Sequence, residues 1–191
     1  MKTFELKGIS RNELGKKGSK ADRTSGNVPC VLYGGKENVH FTASNADLRK
    51  LVYSPEVFIV NIEVEGKKYT SIMKELQFHP VTDVILHIDF QEISEQKPVV
   101  VEIPVKLEGL AEGVKSGGKL SLEMRKLKVK AIYTKIPEKI VIDVTNLGLG
   151  KTIQVGKLSY ENLELLNAKN AVVAQVKLTR AARGAAAAAK K

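Results

Sequence analysis

Along the first half of the chain, apolar residues recur mostly at every second position. Phe4 and Leu6 alternate with polar neighbours over residues 3–7, the period of a strand with one buried face. Residues 28–33, Val-Pro-Cys-Val-Leu-Tyr, make a short apolar run closed by Gly34-Gly35, and residues 38–42 offer another short strand. Residues 57–65 and 67–76 predict two strands joined at Glu65-Gly66, with Phe58, Val60, Ile62 and Val64 on one side. In a further strand over 84–91, Val84, Leu86, Ile88 and Phe90 are expected on one face, with His87, Asp89 and Gln91 on the other. The period changes once. Ser44-Asn45-Ala46-Asp47 is a helix start, Leu48, Leu51 and Val52 share a helical face, and Pro55 ends it. The glycine- and serine-bearing segment between Arg11 and Gly26 shows neither period and is expected to be a basic loop.

These elements predict a mainly β (α+β) protein. Residues 1–93 give an N-terminal, six-stranded, barrel-like domain with one short helix. The polar stretch 94–98, ending in Pro98, is a linker. Residues 99–178 form a second β-rich domain, with strands expected at 99–107, 127–133, 140–144 and 172–178 and a glycine-rich segment over 109–118 that must be loop for much of its length. Residues 179–191 hold four cations and no acid, with an alanine run that has no apolar face to bury, so a disordered basic tail is expected there.

Charge sharpens the picture. The 191 residues carry a formal net charge of +10, which favours a polyanionic partner. Residues 1–36 hold eight Lys/Arg against three Asp/Glu, residues 37–92 five against nine, and residues 93–191 eighteen against nine. A basic segment thus precedes a slightly acidic body, which argues for a localised contact surface. Cys30, the single cysteine, sits in an apolar run and reads as a buried, inert thiol in a reducing cytosol. No stretch approaches the ~20 apolar residues of a membrane span, and the N-terminus lacks a signal-peptide core, so a cytoplasmic location is expected.

The candidate chemistry is recognition. Arg11, Lys16, Lys17, Lys20 and Arg23 supply cations for a phosphate backbone, beside a strand ending in Tyr33. A hairpin between 77–79 and 84–91 would gather Gln77, His79, His87 and Asp89 into one polar patch, suited to base edges and ribose hydroxyls. His79, His87 and Asp89 also have the composition of a facial triad for ferrous iron, although His79 precedes the pair instead of following it. The bland alternative is a polar sheet face on which Asp89 holds His87. Gly150-Lys151-Thr152 imitates the end of a phosphate-binding loop, but Thr145 stands where that motif needs glycine.

The order Arg11-x3-Gly15-Lys16, the basic run and Val28-Pro29-Cys30-Val31-Leu32-Tyr33-Gly34 resembles the N-terminal signature of bacterial large-subunit ribosomal protein number twenty-five. Gln77-Phe78-His79-Pro80 with Leu86-His87-Ile88-Asp89-Phe90 resembles its second signature, and the length resembles the long form, the general stress protein CTC family. The resemblance implies a barrel that binds 5S ribosomal RNA at its loop E, neighbouring large-subunit components as partners, a place on the cytoplasmic ribosome, and neither catalysis nor a cofactor. It carries RNA contact onto Arg11, Lys16, Lys20, Arg23, Tyr33, Gln77, His79, His87 and Asp89, with Lys17 in the same basic run. Many members have two or three arginines where this chain has Lys20-Ala21-Asp22-Arg23; Asp22 is expected to face away from RNA or to pair with Arg23. Other classes remain open: a stress-related ribosome-associated protein–protein adaptor, or a metal-dependent enzyme at His79, His87 and Asp89.

Overall fold

The computed structural model describes residues 1–180; the expected disorder of the tail falls largely outside them. The chain divides into two compact units. One is Met1–Val99 with Ile132–Thr134, the other Val100–Ala131 with Lys135–Lys191.

The first unit is a closed six-stranded barrel. Its strands are β1 (Lys2–Ser10), β2 (Asn27–Tyr33), β3 (Val39–Ser44), β4 (Phe58–Val64), β5 (Lys67–Phe78) and β6 (Ile85–Glu92). Around the barrel they run β1-β3-β2-β6-β5-β4. Closure depends on two parallel pairings between segments distant in sequence. β1 lies along β4 from Lys2 opposite Phe58 to Gly8 opposite Val64, and β2 lies along β6 from Cys30 opposite Ile88 to Tyr33 opposite Gln91. The alternating apolar residues supply the core: Leu6, Cys30, Leu32, Phe41, Val60, Ile62, Ile88 and Phe90 are all buried. Each large side chain so buried contributes about 1.5–3 kcal/mol. Cys30 has no exposed surface, and burial pushes its thiol well up. Helix α2 (Asn45–Val52) covers one opening of the barrel with Leu48 and Leu51, and Asp47 sits in its first turn, where a negative charge suits the helix dipole.

Two expectations fail in this unit. The segment expected to be a basic loop holds a nine-residue helix, α1 (Lys16–Thr24). In β6, Ile85 rather than Val84 and Leu86 joins Ile88 and Phe90 in the core; Val84 is 46% exposed. The register explains the second. Phe78 faces Ile85 and Gln77 faces His87, so Leu86 is an extra residue, a bulge that resets the inside–outside parity. A compensating bulge puts Lys74 between Met73, opposite Phe90, and Glu75, opposite Asp89.

The second unit has its own core. A four-stranded sheet runs β10-β7-β9-β12, from β7 (Val99–Glu108), β9 (Lys126–Ala131), β10 (Ile140–Asp143) and β12 (Glu164–Leu165). A three-stranded sheet runs β11-β13-β8, from β8 (Lys119–Leu122), β11 (Thr152–Gln154) and β13 (Val172–Lys177). Ile103, Leu127, Val129, Ile140, Ile142 and Val173 are buried. A smaller cluster of Ala111, Val144, Leu147 and Val176 lies under the glycine-rich segment, which is loop apart from one helical turn, α3 (Glu112–Lys115).

Candidate nucleic-acid interface

The basic helix is held by small and polar groups. Its inward side carries Gly18 and Ser19 with Asp22 three and four residues on, while Lys16, Lys17 and Lys20 are exposed. Arg11, at the end of β1, reaches under this side. Its Nε lies 2.7 Å from Asp22 Oδ2, an ion pair without an aligned hydrogen bond, and an Nη2 hydrogen donates to Ser19 Oγ at 3.0 Å. The Arg11 side chain is only 9% exposed. Asp22 therefore faces inward and pairs with Arg11, not with Arg23. At the other end of the helix, Arg23 Nε donates to the Leu86 carbonyl at 3.0 Å. Leu86 is the bulged residue, so the bulge supplies the acceptor that ties α1 to β6. Gly18 is required by close approach: a Cβ there would lie 2.5 Å from the Glu13 carbonyl oxygen.

The sheet beside this helix carries the second set. Between the two bulges, Gln77 faces His87 and Glu75 faces Asp89 across β5 and β6. On the other flank of β6, Val31 is opposite Asp89 and Tyr33 opposite Gln91. His87 Nδ1 lies 2.8 Å from Asp89 Oδ1, and both side chains are about one quarter exposed. That contact orients the imidazole and leaves Nε2 as its outward edge. Burial, then the charges of Asp89 and Glu75, raises the Tyr33 pKa above the ordinary phenol range. His87, Asp89, Gln77 and Tyr33 thus share a neighbourhood. Sequence reasoning passed over Glu75 and Ser19, although Glu75 is two residues from Gln77 at the strand period.

His79 stands apart from this row. It terminates the β5–β6 hairpin, its N–H donating to Val84 O at 2.8 Å, with Nδ1 facing the amides of Val81 and Thr82 at 3.4 and 3.3 Å. One ring nitrogen is thereby committed to the turn. Among the described residues no three His, Cys, Asp or Glu side chains are grouped to hold a metal ion. None of the helices in that range is long and apolar enough to cross a membrane.

Comparison with known proteins follows the same division. The model of the ribosomal L25p family matches residues 6–90, and that of the C-terminal domain of ribosomal protein TL5 matches residues 98–180. The chain is 61% identical over 196 residues to the large ribosomal subunit protein bL25 of Bacteroides fragilis, covering 100% of both chains. It is 66% identical over 184 residues to the bL25 of Azobacteroides pseudotrichonymphae, covering 96% of this chain and 97% of the relative. Against the bL25 of Porphyromonas gingivalis it is 64% identical over 188 residues, covering 97% and 98%.

Proposed function

The chain belongs to the ribosomal L25p family, structural and non-enzymatic proteins of the large ribosomal subunit, and from that premise we propose that it binds 5S ribosomal RNA at the internal loop E. The observation that carries the reading is the junction of α1 with β6. A helix bearing Lys16, Lys17 and Lys20 on its free side is tied by Arg23 to the strand that bears His87 and Asp89. Phosphate contacts set register and base-edge contacts give specificity; here the two kinds of group share one rigid support. A regular A-form helix hides its base edges in a deep, narrow groove, so a distorted internal loop is the part of a folded RNA that such a polar sheet can read.

Within this assignment Lys16, Lys17 and Lys20 meet phosphate. Arg11 acts mainly by holding the helix, and Arg23 shares its guanidinium between the Leu86 carbonyl and RNA. Gln77, Tyr33, His87 and Asp89 meet bases or riboses, and His79 offers Nε2 at the rim. Binding to isolated 5S ribosomal RNA, with a loop E mutant as control across a salt series, tests the reading. Tight binding that disappears with the loop mutant is expected, and His87→Ala should narrow the preference for loop E over plain duplex. Equal affinity for both RNAs by the unaltered chain would sink it.

A further inference from the structure

We propose that the second unit carries its own RNA-backbone contact, built where its two glycine-rich loops meet the end of β13, with Lys115, Lys119 and Lys151 as the phosphate-binding cations. The inference rests on membership of a ribosomal family, and not on loop E.

Three segments converge at this place. Gly113 N–H donates to Leu147 O at 2.9 Å and Gly118 N–H to Gly113 O at 2.8 Å, so the 109–118 segment is folded against the 147–151 segment. The approach is close: a Cβ on Gly113 would lie 2.6 Å from Leu149 N. β13 joins through Gly150 N–H to Val176 O at 3.0 Å and Val176 N–H to Lys151 O at 3.1 Å, and Thr179 Oγ1 donates to Gly117 O at 2.7 Å. Lys119 is the cross-strand partner of Lys177. Two lysines directly opposite repel each other. Lys177 is relieved by Glu123 at 2.8 Å, a carboxylate that also accepts from Gln175 and Ser121 and is held down to about 2.

Lys119 has no such relief. Among the described residues, neither it nor Lys115 or Lys151 has an ion-pair partner, and all three are exposed. On the outer face of the four-stranded sheet the pattern differs: Lys106, Lys128 and Lys130 each carry a glutamate, at 2.9, 3.7 and 3.5 Å. Glu112, in the turn of α3, is the other carboxylate of these loops. Gly117, between Lys115 and Lys119 in the chain, and Gly150, next to Lys151, are exposed and carry no side chain, which lets a sugar–phosphate backbone approach the loops closely. An acidic protein could satisfy the charges, but in a ribosomal particle the extended polyanion is RNA.

The test uses the full chain and a 20-base-pair RNA duplex without internal loops, titrated across salt. Taking away one lysine–phosphate interaction lowers the slope of log affinity on log salt by about 0.9. The triple variant Lys115→Gln, Lys119→Gln, Lys151→Gln should therefore flatten the slope by about 2–3 and weaken duplex binding about tenfold. It should keep its preference for loop E of 5S RNA, and the triple Lys→Arg variant should bind as the unaltered chain does. An unchanged slope with an unchanged thermal midpoint would overturn the proposal. Equal competition by poly-glutamate and by duplex would overturn the assignment to RNA. If the glutamine triple loses its fold, single Lys119→Gln and Lys151→Gln variants must each flatten the slope fractionally, and their failure to do so counts against it. A wild-type chain indifferent to loop E would undo the 5S reading while leaving the slope comparison decisive here.

Discussion

Arg11 and Lys16 are both cations of one basic segment, yet they do different work. Arg11 is nearly buried and spans Asp22 and Ser19, whereas Lys16 is exposed on the free side of α1. Removing Arg11 leaves Asp22 without its ion-pair partner and the Ser19 hydroxyl without its donor, which costs about 1–2 kcal/mol. Arg11→Ala should therefore lower both the thermal midpoint and the RNA affinity. Lys16→Ala should reduce affinity and salt slope alone, because an exposed lysine contributes almost nothing to folding. Circular dichroism melts beside RNA titrations separate the two; equal melting temperatures would show that Arg11 is a surface contact like the lysines. The sequence shows the charge of both residues and cannot show this difference, which depends on where α1 turns its inner side.

At the scale of elements, the barrel strands were legible because Phe58, Val60, Ile62 and Val64, or Ile88 and Phe90, alternate against polar neighbours. Helix α1 was not legible for an equally physical reason. A helix is recognised by apolar residues three and four apart, but this one packs through Gly18, Ser19 and Asp22 against an arginine. The bulge at Leu86 escaped as well, since one inserted residue leaves composition unchanged while reversing parity. The polar row of His87 and Asp89 was found because it lies beyond the bulge, where alternation resumes. Gly18→Ala tests the packing. Helix propensity alone would gain about 1 kcal/mol from alanine, but a methyl 2.5 Å from a backbone carbonyl cannot be absorbed by a side-chain rotation. Overpacking costs typically 1–3 kcal/mol, so net destabilisation with weaker RNA binding is expected in denaturant melts. A more stable variant would show that α1 does not press on Glu13 as described.

The whole molecule comprises two units, and the exposed stretch 94–98 lies in the first of them just before its end at Val99. Protease Glu-C should cut first after Glu95, because this stretch is exposed throughout and belongs to no strand. The product 1–95 contains all six barrel strands and, on the 5S reading proposed above, should bind loop E in preference to plain duplex. Mass spectrometry of the digest and RNA binding by the fragment check this; early cleavage inside the barrel would show that the first unit does not hold together alone. The strands Val99–Glu108, Lys126–Ala131, Ile140–Asp143 and Val172–Lys177 of the second unit were visible as apolar or alternating runs. The short strands Lys119–Leu122, Thr152–Gln154 and Glu164–Leu165 were not, because two to four residues are too few to display a period.

The parallel pairing of β1 with β4 has a consequence for how the protein is made. Lys2 emerges from the synthesising ribosome long before Phe58, its partner, and at roughly 5–20 residues per second the delay is several seconds. Throughout that interval the first strand has no neighbour on that side, and α1 lacks its tie to the Leu86 carbonyl of β6, which is translated later still. The nascent chain thus presents its basic segment before the barrel that restrains it has closed, in surroundings crowded with RNA. Closure of the barrel brings β6 to the helix, so that completing the last strand fixes the exposed lysines of α1 on one side of a folded unit.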